Sequence, residues 1–398
     1  MSRFIIYLFP LLMDMALSTM FFVCSLRMAE SGASAFAVSM ISTVWALTYS
    51  LSAAVAGRLI RPDNAANYVI GSCLAVAVIS GLFVLFPGLS MQYVLMIAIG
   101  WAVAMFFVPF QVFMKAVMGN TSWGLNVSTG LYTAAWSCGM ALGPFVSGLL
   151  WQHFNWQICH LINAAAVLGC AWGIFRLRHY AQRPAALPDA AKATPSVKPA
   201  ASPSSSQHSS EYGRYPDLVM IGWICGTVCF LTVAIIRAVF PSLATALTVS
   251  KANQGMVFAI LFWAQAGAGL VLCLFRHWMY RRGTIIMVSL SGIIGFLLLG
   301  MGRTAPVFFL AALLLGIYTG TISCYFVFHA LVHPRKSSSR VAVNETIVGI
   351  TGSLGPVLGG LVADRSGLST PFLLAALLLA LAAVSFWRGY QKKFSASN

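Results

Sequence analysis

The chain has 398 residues, of which 59% are apolar and only 8% charged, with a mean hydropathy of +0.85, whereas soluble domains carry about 25% charged residues. That composition excludes a soluble globular protein. The net charge of +16 would point to nucleic acid in a soluble chain, but here the basic residues fall in short loops between apolar runs, as a topology signal, so nucleic acid is excluded as a partner.

Apolar runs of roughly 18 to 27 residues recur along the chain, each long enough as a helix to cross about 30 Å of hydrocarbon. They lack the alternation of a membrane barrel. Backbone polar groups must pair within lipid, so the expected fold is all-α, with twelve transmembrane helices.

The first run, residues 4 to 26, follows Arg3 and precedes Ala33-Ser34-Ala35, as a signal peptide would, but its apolar core is too long and carries Asp14. It is read as a retained span. Asp14 falls near mid-membrane, where an ionised carboxylate costs at least about 2.5 to 3.5 kcal/mol unless it faces water or a partner. It is the first candidate for a proton or cation site; the alternative is a protonated carboxyl bonded to a neighbouring helix. Tyr7, Ser18 and Ser25 share its helix face. The next runs cover 34 to 57, 66 to 87 and 91 to 115, the last holding Gln111. The fifth, 125 to 151, holds Trp136 and the stretch ALGPFVSGLL; the sixth covers 157 to 177.

Residues 177 to 217 are rich in Ala, Pro and Ser and read as a disordered cytoplasmic linker. The expected division is a six-helix half at 1–180, a linker at 181–216 and a second six-helix half at 217–398. The seventh run, 217 to 241, contains Arg237, which either binds an anionic group or snorkels to the interface. The eighth, 252 to 275, holds Gln265, and the ninth covers 283 to 301. The tenth, 306 to 332, carries Tyr318, Thr321, Tyr325 and His329, a polar stripe that lines a cavity or anchors at the interface. The eleventh and twelfth cover 341 to 363 and 370 to 388.

With the N-terminus in the cytoplasm, most of the 24 basic residues fall on that side. Only Arg27, Lys251, Arg303 and Arg365 fall outside, which satisfies the positive-inside rule and places both termini in the cytoplasm of a bacterial inner membrane. The nine cysteines lie in or beside apolar runs and act as small hydrophobes, so no disulfide, metal or cofactor is expected. No nucleophile motif, phosphate loop or carboxylate pair suggests an enzyme.

The chain repeats itself. Residues 354 to 362, LGPVLGGLV, match LGPFVSGLL at 142 to 150 in five of nine positions, at an offset of 212. Trp45-Ala46 matches Trp263-Ala264, and Gly100 matches Gly316. A six-helix unit is repeated in parallel. The stretches GMALGPFVSG, GGLVADRSG and WQHFNWQICHLINA carry a specific resemblance: the chain resembles the major facilitator superfamily of secondary transporters, whose antiporter motif, post-eleventh-helix ending and sixth-helix start they match.

That resemblance implies that Gly139, Gly143, Pro144 and Gly148, with Gly352, Gly355, Pro356, Gly359 and Gly360, serve as a conformational motif. There the fifth and eleventh helices meet helices of the opposite half along the cavity and slide or bend as the halves rock. It also implies that the tenth helix lines the cavity. Two departures stand out. Gly57-Arg58-Leu59-Ile60-Arg61 has arginine where the family's loop carries an acid, and Met96 stands where drug and proton antiporters place an arginine. Glu345, about one turn into the eleventh helix, is therefore expected to pair with Arg61 or Arg58 as a cytoplasmic gate; the alternative is that Glu345 only caps the helix dipole and Asp63 fills the usual acidic role. The expected function is transport of a small organic solute by alternating access, coupled to protons through Asp14, by a monomer in the lipid bilayer. A transporter-like sensor or assembly protein and a lipid or lysolipid flippase are the alternatives.

Overall fold

The computed structural model describes residues 5–61, 63–118, 125–181, 216–274, 278–331 and 337–395. Nearly all of the expected linker, 181–216, lies outside them. Twelve helices among the described residues are long and apolar enough to cross a membrane. In chain order they are α1 (Ile5–Glu30), α2 (Ala35–Leu59), α3 (Ala65–Leu85), α4 (Leu89–Met118), α5 (Leu125–His153) and α6 (Trp156–Ala181), then α7 (Val219–Ala246), α8 (Lys251–Leu274), α9 (Arg282–Met301), α10 (Ala305–Leu331), α11 (Ser337–Ser366) and α12 (Thr370–Ser395). The fold is all-α, and the chain is a multi-pass integral membrane protein.

Local chemistry starts and stops these helices. The Ser34 side chain accepts a hydrogen bond from the Ala37 N–H at the start of α2, Asn155 accepts from Ile158 N–H at 3.1 Å to begin α6, and Ser250 accepts from Asn253 N–H at 3.3 Å to begin α8. Both α1 and α7 end in the same turn. Ala33 N–H bonds Met28 C=O at 3.1 Å and Val249 N–H bonds Ala244 C=O at 2.9 Å, around a left-handed residue that is Gly32 (φ 80°) in one half and Thr248 (φ 56°) in the other.

The two halves pack alike. α1 lies on α5 as α7 lies on α11, α2 on α4 as α8 on α10, and α3 on α6 as α9 on α12. The matched glycines show why. A Cβ on Gly100 would come 2.9 Å from Trp45 O of α2, and one on Gly316 would come 2.3 Å from Leu261 O of α8, so each glycine lets its helix backbone touch the next. Across the molecule α5 meets α8 and α11 meets α2, with α7 also against α1 and α2. This seam lies mainly toward the end of the bundle opposite both termini, here the far end. Phe22, Val23, Leu26, Ala35, Met140, Ala141 and Trp151 of the first half join the second half's apolar core there. The remaining first-half core is separate.

Candidate functional site

The motif glycines divide their work between two neighbours. Gly139 and Gly143 pack on α1 of their own half, where an added Cβ would meet Leu11 O at 2.2 Å and Ser18 Oγ at 2.1 Å. Gly148 packs across the seam, 2.6 Å from Lys251 O by the same measure, and Gly255 of α8 faces Pro144 O at 2.2 Å. The second half repeats this. Gly355 and Gly359 face Leu231, Ala234 and Ile235 of α7, while Gly360 faces Phe36 and Ser39 of α2 across the seam. A Cβ on Gly352 would meet nothing within 4 Å. Within each motif the outer glycines meet the opposite half and the inner ones clamp each half together. Pro356 continues the same α11 segment.

Asp14 stands where α1 presses on α5. It is 5% exposed, and its Oδ2 makes no hydrogen bond among the described residues. The Gly139 backbone closes over it, with 3.0 Å between the Asp14 Cβ and a Cβ built on the glycine. The hydroxyls of Tyr49 on α2 and Tyr132 on α5 lie within electrostatic range of its carboxyl, and Gln111 of α4 lies in hydrogen-bonding reach of Tyr132. From Tyr49 an aromatic ladder runs toward the far end. Tyr49 stacks on Trp45 at 5.0 Å between centroids, Trp45 meets Phe21 edge-on at 4.9 Å, and the Arg237 guanidinium lies 6.0 Å over Phe21. Arg237 therefore faces α1 of the other half, and it makes no ion pair among the described residues. Trp136 packs on the core that residues of both halves share at the seam.

The α10 stripe lies elsewhere. Tyr318, Tyr325 and His329 are each 1% exposed and Thr321 is buried. Tyr318 packs on Gly292 of α9 and lies beside Cys229 of α7. The Tyr325 ring is 4.1 Å from that of His329, whose Nε2 is 3.0 Å from Met279 C=O. The face carrying Tyr318, Tyr325 and His329 turns into its own half, away from the seam, because α7 and α9 cover it. Gln265 of α8 is tied to α10, accepting from the Thr319 hydroxyl at 3.2 Å.

At the end bearing the termini, Arg58, Arg61 and Glu345 are exposed and make no ion pair among the described residues. The nearby acid Asp217 instead holds Arg340, joining the starts of α7 and α11 within one half. The far end is latched. Asp364 Oδ1 and Oδ2 accept from the first N–H groups of α2, Ala35 at 2.7 Å and Phe36 at 3.1 Å. At the repeat position Gln152 Oε1 accepts from Ala252 N–H of α8 at 3.4 Å, and Glu30 pairs with Lys251 at 2.7 Å. Phe21, Tyr49, Tyr132 and Gln152 were not singled out from the sequence, and Trp45 and Asp364 entered only within the repeat and the motif that hold them. The repeat could have found both ladder and latch, since Trp45 recurs as Trp263 and Gln152 lies 212 positions before Asp364.

Comparison with known proteins fits this geometry. A curated relative, the multidrug resistance protein MdtG of Yersinia enterocolitica, is 30% identical over 179 residues, 42% of each chain. The same protein of Salmonella arizonae is 30% identical over 184 residues, 41% of this chain and 44% of that one. The match thus spans less than half the length of these relatives. In fold, the chain resembles the nucleoside transporter NupG, with a TM-score of 0.68 and 13% identity over 98% of this chain and 99% of that one. It also resembles a bacterial homologue of the human lysosomal transporter Spinster in an inward-facing, occupied conformation, with a TM-score of 0.65 and 12% identity over 100% and 97%. A profile of the Major Facilitator Superfamily matches residues 4–221 and again 222–396, and the chain belongs to that superfamily.

Proposed function

We propose that the chain is a proton-coupled secondary transporter of a small organic solute, working by alternating access of its two halves. The observation that carries this reading is Asp14, a carboxyl closed in by α5 with an oxygen that no donor among the described residues reaches, at the foot of an aromatic ladder leading to the opposite half. Ionised and undonated, such a group is costly, so it holds a proton while enclosed and releases it when the halves move and water reaches it. Stacked rings suit an apolar-bodied solute, in keeping with the multidrug resistance proteins that the chain resembles.

With both termini in the cytoplasm, the latched far end is the outer face, and this conformation faces inward. In the opposite state, Arg61 or Arg58 would pair with Glu345. Proteoliposomes tested with a panel of aromatic solutes, with and without a pH gradient, decide the matter. Accumulation driven by the gradient is expected for the wild type, and Asp14→Asn should keep solute exchange while losing accumulation. Full accumulation by Asp14→Asn removes the carboxyl from coupling, and no movement of any solute favours a sensor or assembly role.

A further inference from the structure

At the end bearing the termini, α9 and α12 enclose a groove of about 780 Å³ walled by Tyr280, Arg281, Arg282, Met287 and Tyr390. We propose that it binds the phosphate headgroup of an anionic phospholipid from the leaflet on that side.

Three features fit that occupant. Arg281 and Arg282 are exposed and make no ion pair among the described residues, and α9 and α12 contain no acidic residue. Arg282 is also held, its guanidinium 4.9 Å from the Trp387 ring of α12, so one donor fork is placed in advance. No side chain caps the start of α9, and the two arginines are its N-cap and first residue. One turn deeper the wall becomes hydrocarbon-like, with Met287 73% and Leu290 52% exposed, which suits acyl chains and not a free ion. The repeat supplies a contrast. The matching start of α3 is likewise without a side-chain cap but carries the acid Asp63 two residues after Arg61, where the start of α9 has no acid.

Native mass spectrometry of the full chain, titrated with phosphatidylglycerol or phosphatidylcholine, tests the site. Phosphatidylglycerol should bind more tightly. Arg281→Gln and Arg282→Gln should each weaken it about fivefold and the double variant about 25-fold, the amount expected for basic residues at an anionic surface. Arg176→Gln, an exposed arginine on the same side of the other half, should change nothing. Equal retention of the two lipids overturns the proposal, as does an unaffected double variant or an equal loss with Arg176→Gln. Displacement of the lipid by excess inorganic phosphate would overturn it too, by making the groove a free-anion site. Should the double variant fail to fold by circular dichroism, the single variants carry the test. The measurement reads lipid retention and not transport, so its failure leaves the transport reading untouched.

Discussion

Asp14 and His329 are both polar groups deep in membrane helices, yet their surroundings differ in kind. His329 has its ring edge-on to Tyr280, tilted over Tyr325 and its Nε2 bonded to the Met279 carbonyl, all within one half, while its Nδ1 makes no hydrogen bond among the described residues. Asp14 has an oxygen with no donor among the described residues and lies under Gly139 of α5, near rings that lead to the opposite half. Lipid penalises both residues alike, so a sequence marks both as special. What separates them is what surrounds them: for His329 a carbonyl and rings of its own half, and for Asp14 a ladder of rings that leads to the opposite half. Reactivity distinguishes the two cases. In a cysteine-depleted background, Tyr318→Cys, Tyr325→Cys and His329→Cys should react with a water-soluble thiol reagent at least about tenfold more slowly than Gln111→Cys, because their face must first open. Comparable rates would return the stripe to a water-filled cavity.

At the scale of the element, the sequence was legible where lipid dictates it. Every expected span became a helix, and the largest boundary differences have one physical cause. The helices run beyond the hydrocarbon, α4 to Met118 and α11 back to Ser337, because intrahelical hydrogen bonds continue into water after apolar side chains stop. The repeat was legible too, since close helix contacts require glycine at fixed places. Less legible was which helix each glycine touches, because a small residue permits approach without naming the partner. Gly143 and Gly352 separate these cases. Gly143→Ala forces a methyl into Ser18 Oγ and Met15 O of α1 and should cost about 1 to 3 kcal/mol in thermal unfolding of the purified protein. Gly352→Ala meets nothing within 4 Å and should be neutral or stabilise by up to about 1 kcal/mol through helix propensity. Equal losses for the two would mean that the glycines act through backbone flexibility and not through contact.

For the whole molecule, the question is what holds the far end shut, and the repeat gives the answer twice with unequal strength. α5 and α11 each end by offering a side-chain oxygen to the first N–H groups of a helix in the opposite half, Gln152 to α8 and Asp364 to α2. A helix start carries partial positive charge, so the carboxylate binds it more strongly than the amide does. The exposed Glu30–Lys251 pair adds little. Asp364 is therefore the principal latch of this conformation, and its bonds must break whenever the halves part at the far end. Asp364→Asn keeps an acceptor but loses the charge, which is worth about 1 kcal/mol, or about a fivefold shift toward the far-end-open state. Spin labels on Ser31→Cys and Ala246→Cys, exposed on opposite halves at that end, should report a larger long-distance population in Asp364→Asn and a smaller gain in Gln152→Ala. At the other end Arg61→Glu and Glu345→Arg should each shift the same labels toward the short distance, with recovery in the double variant, if that pair closes the opposite state. An unchanged distribution in Asp364→Asn would make the carboxylate a cap that both states share, and the latch would then have to lie in the glycine contacts of α5 with α8.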